Sequence, residues 1–353
     1  MMKPEVGSEF WCGCTPLDGS GVTALLPTGM DTRYTLCGRT ALELLLRDAM
    51  PIGSAYLPSY CCHTMIEPFV AKGIRVQFYD VYFTPTGISW DFDENHCCDL
   101  VFLMDYFGFR NEHTIRLAQE QKAAGKTVIY DATHAMFCTD MDYRPYDYVF
   151  GSFRKWFGVN AGFCAKRGVW NDFPVLSQNI PYTETRNAAF LCKQQYMEGY
   201  SINKQQFLDA FSQAEEALET DYIGYVPDAA SLQILKTVNV DFIRQKRREN
   251  AALTIEQINT MGLDTVSSPY RQVKAGDCPL FVPLQVSPDR RADLRRLLIQ
   301  HRVYLPIHWP VSALHEKISG IYDTELSFVC DQRYGQQDMH RAIELIKEFL
   351  SYG

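Results

Sequence analysis

The sequence predicts an α/β protein in two domains, the larger one built on a mostly parallel sheet with helices on both faces and the smaller one a C-terminal α/β unit. Three observations predict this. From about residue 36, short β-rich runs alternate with amphipathic helical stretches. At 353 residues the chain exceeds the roughly 250–300 residues at which one hydrophobic core stops growing. A second group of strand and helix signals begins near Leu280, after a long helical stretch.

Taken in order, the expected strands are Ser54 to Leu57, Val76 to Val81, Leu100 to Met104, Thr127 to Tyr130, Tyr148 to Gly151 and Phe163 to Lys166. Between them fit helices from Thr40 to Met50, with Leu42, Leu45, Leu46 and Ala49 on one stripe, from Thr64 to Lys72, and from Asn111 to Ala124, each stopping near Gly or Pro. Residues 170 to 200 show no clean period. The stretch from Ile202 to Met261 is helical in outline; Pro227-Asp228 opens one helix, and Ile243 to Ile258 reads as a long helix linking two domains. The second α/β unit has a strand at Leu280 to Val286, a helix announced by Ser287-Pro288-Asp289, strands near Val303 to Leu305 and at Leu326 to Val329, and a last helix with Met339, Ile343, Ile346 and Leu350 at helical spacing.

Composition narrows the function classes. Hydrophobic residues make up 46% and charged residues 22%, an ordinary globular balance. The net charge of −8 is scattered, and no Lys/Arg run is dense enough to follow a phosphate backbone, so nucleic acid is not an expected partner. No apolar stretch approaches the roughly 20 residues needed to span a bilayer, and MMKPEVGSEFW lacks the apolar run of a signal peptide, so the chain reads as cytoplasmic and free of the membrane. Its 12 cysteines then read as reduced thiols. The clusters Cys12/Cys14, Cys61-Cys62-His63 and His96-Cys97-Cys98 lack C-x2-C spacing, and no metal site is expected.

The stretch from Val128 to Lys166 carries the chemistry. Asp131 ends one strand and Ser152-x-x-Lys155 ends the next, so both side chains are expected on the carboxyl edge where open α/β sheets bind ligands. Upstream, Gly38-Arg39-Thr40 opens a helix whose free N–H groups suit a phosphate, with Ser152 and the Thr40 hydroxyl as further donors; simple capping by Thr40 is the alternative. A phosphate site, a strand-end carboxylate and a lysine nucleophile are the three requirements of a pyridoxal phosphate site.

On CGRTALELLL, YLPSYCCHTMIEPFVAKGIRVQFYDV, LMDYFGF, VIYDATHA, GSFRKWF, LPIHWP and LSFVCDQRY, the chain resembles the PLP-dependent fold-type I aminotransferases, and among them the DegT/DnrJ/EryC1/StrS family of sugar-nucleotide aminotransferases. The resemblance implies a seven-stranded-type sheet in a cofactor-binding domain over residues 30–240, a small domain from 1–29 and 241–353, and a homodimer with a shared active site. It implies pyridoxal 5'-phosphate as cofactor, Lys155 as the Schiff-base lysine, Asp131 as the pyridinium partner, His134 as neighbour of the phenolic oxygen, and Gly38, Arg39, Thr40 and Ser152 around the phosphate. The family's stacking aromatic falls on Cys62, which leaves His63 or Tyr60 to stack; the Ser-x-x-Lys spacing is also tighter than the common sugar-aminotransferase pattern. Tyr106, His308 and Arg333 are the substrate-contact candidates, Arg333 as a carboxylate fork and His308 with Trp309 as a sugar surface. Arg154 is expected to lower the Lys155 pKa. The implied reaction moves an amino group from an amino-acid donor to a keto acceptor. An amino-acid aminotransferase, a PLP-dependent lyase or decarboxylase, and a catalytically silent PLP-binding protein stand as alternatives.

Overall fold

The computed structural model describes residues 5–262, 265–315 and 318–351. The chain forms two compact units, one of Met1–Ser8, Pro51–Asp147 and Phe242–Gly353, the other of Glu9–Met50 and Tyr148–Asp241.

In the first unit, five strands lie in the order Gly87–Asp91, Arg75–Thr84, Ser54–Pro58, Leu100–Met104, Thr127–Asp131. All neighbours are parallel except the Gly87–Asp91 edge, which turns back on Arg75–Thr84 as a hairpin. Leu100–Met104, LVFLM, is buried at every position, as a parallel strand covered on both faces must be. The crossover helices are His63–Ala71 and Glu112–Ala123, the latter capped by Asn111, whose side chain accepts the His113 N–H. A separate antiparallel group, Val266–Ser267, Phe281–Val286 and Glu325–Val329, packs with the helices Pro288–Gln300 and Gln336–Ser351, and Val6–Gly7 pairs in parallel with Val303–Tyr304.

The second unit has three antiparallel strands, Asp31–Thr35, Gly162–Lys166 and Tyr148–Ser152, with the helices Gly38–Ala49, Ile180–Met197, Lys204–Thr220 and Ala229–Thr237. The helix Val240–Thr260 begins here and runs into the first unit's chain.

Most expected elements form within a residue or two of their expected ends. Three differ. The strands Asp31–Thr35 and Gly87–Asp91 were not expected, and residues 170–200, which show no clean period, contain the 18-residue helix Ile180–Met197. Its buried stripe is Tyr182, Arg186, Ala189, Phe190 and Lys193, helical in spacing, but two of its members are cations. Arg186 lies 5.2 and 5.5 Å from the Phe190 and Phe211 rings and pairs with Glu215, while Lys193 sits 5.2 Å from the Trp11 ring. Buried cations satisfied by rings and a carboxylate erase the apolar period on which sequence reading relies.

The turn after Leu100–Met104 demands a particular residue. Gly108 has φ +82°, and a Cβ there would stand 1.9 Å from the Cys278 carbonyl oxygen and 2.7 Å from the Leu280 nitrogen. We expect Gly108→Ala to cost about 3 kcal/mol or more in urea unfolding, through overpacking and the left-handed backbone together. Gly73→Ala, also at positive φ but with no atom within 4 Å of the new Cβ, is the comparison that isolates the clash; equal losses would show that backbone strain alone fixes Gly108.

Candidate active site

In the first unit, the strand register brings several carboxyl ends level. Met104 pairs with Asp131, and Tyr56 with Val101, so Ser59-Tyr60, Asp105-Tyr106 and Asp131 emerge from adjacent strand ends at one edge.

Asp131 is 3% exposed, and its Oδ1 accepts the Thr133 N–H at 2.8 Å. Among the described residues no Lys, Arg or His forms an ion pair with it. Burial raises its carboxyl from the ordinary 3.8 to about 6, opposed only by hydrogen bonds from Thr133. Asp105 is also buried and raised to about 6, but it accepts hydroxyl protons from Thr114 at 2.5 Å and Tyr130 at 3.0 Å, which tie the strand end to the following helix.

His134 follows Asp131 by one short turn. The Phe107 N–H donates to its Nδ1 at 3.1 Å, so the neutral ring carries its proton on Nε2. Around it lie Trp309, Phe107 and His308, with ring centroids 5.4, 5.5 and 5.9 Å away. Tyr60 adjoins the same cluster, 5.0 Å from Trp309, 4.9 Å from Tyr322 and 5.6 Å from Tyr106. The hydroxyls of these tyrosines turn to the main chain: Tyr60 donates to the His308 carbonyl, Tyr106 to the Tyr60 carbonyl at 2.7 Å, and Tyr322 to the Cys61 carbonyl at 2.9 Å. Tyr60 is fully buried and Tyr106 nearly so, whereas Cys62 and His63, at the start of His63–Ala71, are half-buried.

His308 belongs to this group of rings, with its Nδ1 2.7 Å from Ser327 Oγ. Arg333 does not. Its Nε and Nη2 grip Asp331 at 2.9 and 2.7 Å, and its Nη groups donate to the Ser8 carbonyl at 3.2 Å.

The second unit holds the other candidates. The helix Gly38–Ala49 has no side-chain cap at its N-terminus, and Gly38, Arg39 and Thr40 are buried. Thr40 does not cap it, because its hydroxyl donates to the Tyr222 carbonyl at 2.5 Å. A Cβ on Gly38 would meet Ser152 Cβ at 3.3 Å, so the bare helix end and the strand-end serine abut. Arg39 is drawn to Glu219 at 2.9 Å and stacks 4.9 Å from the Tyr222 ring. Lys155, in the turn Phe153–Lys155, is exposed and makes no hydrogen bond or ion pair among the described residues. Arg154, expected as the cation acting on it, is instead held by Glu215, which also takes Arg186. Burial alone would raise the Glu215 carboxyl; the Arg154 and Arg186 guanidinium groups, with the Lys155 charge, outweigh it and hold it at about 2.

Sequence reading passed over Phe107, Tyr322, Glu325 and Ser327. The last two were visible: in the fully buried strand ELSFV, two polar residues alternate with apolar ones and so share one face.

No family model matches the chain, and no curated protein matches it by sequence. Its fold matches solved structures. The sugar aminotransferase CalS13 from Micromonospora echinospora matches at TM-score 0.62 and 14% identity over 99% of this chain and 100% of that one. DesI, solved in the presence of its TDP-sugar product, matches at 0.63 and 14% over 98% and 94%. NtdA from Bacillus subtilis, with bound cofactor PMP, matches at 0.59 and 14% over 91% and 73%. The chain thus has the α/β fold of the fold-type I aminotransferases.

Because the folded pKa of Asp131 lies above the unfolded one, the folded state holds the extra proton between about pH 4 and 6, and stability falls as pH rises through that window. At pH 7 the ionised group costs about 3 kcal/mol. Asp131→Asn keeps an acceptor for Thr133, so the ligand-free variant should be more stable than wild type at pH 7–8 in urea unfolding, with the gain vanishing below pH 4. Equal stabilities at both ends would mean that the charge is compensated.

Proposed function

We propose that this is a cytoplasmic, PLP-dependent aminotransferase that moves an amino group from an amino-acid donor to a keto acceptor and prefers a polyhydroxylated keto-sugar, such as a nucleotide-linked one. The observation that carries the proposal is the buried, unpaired Asp131 carboxylate at a strand end of an aminotransferase fold. Each unit, taken by itself, carries groups suited to part of the cofactor. In the first, the buried Asp131 anion suits a protonated ring nitrogen; in the second, the uncapped helix end Gly38–Thr40 against Ser152 suits a phosphate, and the exposed Lys155 amine suits a carbonyl carbon. Pyridoxal 5'-phosphate, when bound, supplies the electron sink.

In this reading Asp131 keeps the ring nitrogen protonated, because an opposite charge within about 4–6 Å favours the cation. His134 offers its Nε2–H to the phenolic oxygen. Of the stacking candidates, Tyr60 is sealed in the aromatic cluster, and Cys62 and His63 retain accessible surface. Lys155 would hold the cofactor through its amine, and its Nζ would take and return the substrate's proton. Tyr106, through the Tyr60 main chain, and His308 with Trp309 form the substrate wall. We assign residues 30–240 to the cofactor domain and 1–29 with 241–353 to the small domain, in a homodimer that shares its active sites. No helix among the described residues is long and apolar enough to cross a membrane.

The sugar preference draws support from two sides: DesI was solved with its TDP-sugar product and CalS13 is a sugar aminotransferase, and Arg333, the candidate carboxylate fork, is occupied by Asp331.

Lys155→Ala should abolish the visible absorbance of the cofactor-loaded protein, while Lys166→Ala leaves it. Borohydride reduction followed by peptide mass mapping should place the adduct on Lys155, and an adduct elsewhere removes the assignment. In half-reactions of the pyridoxamine form, a nucleotide-linked 4-keto-sugar should re-oxidise the enzyme faster than 2-oxo acids. Re-oxidation by 2-oxo acids alone, lost in Arg333→Gln, would make the protein an amino-acid aminotransferase.

A further inference from the structure

His308 is the end of a hydrogen-bonded chain that leads into a fully buried carboxylate. Its Nδ1 lies 2.7 Å from Ser327 Oγ, and the Ser327 hydroxyl donates to Glu325 Oε1. The other oxygen, Glu325 Oε2, accepts the His308 main-chain N–H at 2.7 Å. Glu325 and Ser327 are both 0% exposed, so no water competes for these contacts. The proton count decides the direction of the chain. A carboxylate only accepts, and a serine has one proton to give. With that proton committed to Glu325, Ser327 Oγ can only accept from His308, so the imidazole proton sits on Nδ1. Nε2 is then the bare nitrogen. It has no hydrogen-bond partner among the described residues, and the side chain keeps 13% exposure beside the His134 and Trp309 rings.

We infer that Ser327 and Glu325 are positioning residues that lock His308 in its Nδ1–H form, and that the lone pair so presented at Nε2 selects acceptors bringing a hydroxyl there over acceptors bringing a carboxylate. The inference rests on the aminotransferase reading above and names the feature of the acceptor that the site recognises. A hydroxyl donates to a lone pair. A carboxylate faces it acceptor to acceptor and leaves both groups unsatisfied in a water-poor setting, the mismatch by which enzymes discriminate most sharply. His134 differs by one proton position, since its Nδ1 accepts from Phe107, so the neutral ring carries its proton on Nε2. The two neighbouring imidazoles therefore present one donor and one acceptor.

The chain also predicts how it can be reversed by a single atom. In Glu325→Gln the amide oxygen must stay with the His308 N–H, which turns the amide NH2 toward Ser327. The serine oxygen then accepts, and its hydroxyl is free to donate to Nδ1, which moves the imidazole proton to Nε2. A variant that only loosened packing would not exchange the two nitrogens.

The experiment is nitrogen-15 NMR of histidine-labelled protein at a pH where the imidazoles are neutral, with the His308 signals identified by their loss in His308→Gln. Wild type and Ser327→Thr should show a protonated Nδ1 and a bare Nε2, and Glu325→Gln the reverse. The same tautomer in wild type and Glu325→Gln overturns the positioning role. For selectivity, pyridoxamine-form enzyme is re-oxidised with a nucleoside-diphosphate-linked 4-keto-sugar and with 2-oxoglutarate. The ratio of kcat/KM values, sugar over oxo acid, should fall about tenfold or more in Glu325→Gln, mostly through KM, since one hydrogen bond is exchanged for one repulsion. An unchanged ratio with a reversed tautomer overturns the selection. If wild type aminates neither probe, the proposed function and the selectivity fall together, while the tautomer result stands by itself.

Discussion

A carboxylate taken out of water without a cation is among the least comfortable groups a protein can hold, and the first unit is organised around one. Asp131 is held by the main-chain N–H and the side chain of Thr133, with no cation beside it among the described residues. Its ionisation at neutral pH costs about 3 kcal/mol, against a typical net stability of about 5–15 kcal/mol for a whole domain. The site can persist because its backbone is not free to relax: Thr127–Asp131 is paired at every residue with the wholly apolar Leu100–Met104. Asp105, on the neighbouring strand end, shows the contrast. Two hydroxyls and the following helix tie it into the fold, whereas Asp131 has only Thr133 as a hydrogen-bond donor among the described residues.

The aromatic residues beside it are scaffold more than reagents. Three tyrosine hydroxyls are spent on carbonyls at Tyr60, Cys61 and His308, which ties the strand-end loops to the segment carrying His308 and Trp309. Such bonds leave the rings in place and remove their polar ends from consideration as acids or bases; burial also pushes the Tyr60 and Tyr106 phenols well up from their ordinary range. Two imidazoles in this unit are oriented by a neighbour, His134 by the Phe107 N–H and His308 by the Ser327 hydroxyl.

Legibility followed the physical signal. The parallel strands could be read because both faces are buried and the runs are continuously apolar, and Asp131 because a strand-end carboxylate interrupts such a run. The helix Ile180–Met197 could not, since two of its core positions are Arg186 and Lys193. The partner of Arg154, beside Lys155, could not be read for a similar reason. Adjacency in sequence suggested that Arg154 acts on Lys155, but the counter-ion, Glu215, lies 61 residues away in the chain, and nothing local announces it. Glu325 and Ser327 carried a readable signal in their alternation, which needs the strand's burial to acquire meaning.

Arg333 shows how magnitudes decide between a binding residue and a structural one. Its fork is closed on Asp331, a pair only 3% and 5% exposed. The surrounding segment is clamped from the helix Val240–Thr260: Asn250 donates to the carbonyls of Cys330, Asp331 and Tyr334, and the buried Arg247 to Gln332 and the Leu280 carbonyl. Burial would raise the Asp331 carboxyl, yet Arg333 and Arg247 hold it below its ordinary value. For Arg333 to swing to a ligand carboxylate, Asp331 must lose its partner, and breaking a buried pair costs about 3–5 kcal/mol. A hydrogen bond to a charged ligand returns about 1.5–3 kcal/mol. The exchange runs uphill unless the ligand supplies several contacts at once, so the DQRY segment, which in sequence looks like a substrate fork, is held in the fold as a brace between the helix and the strand Glu325–Val329.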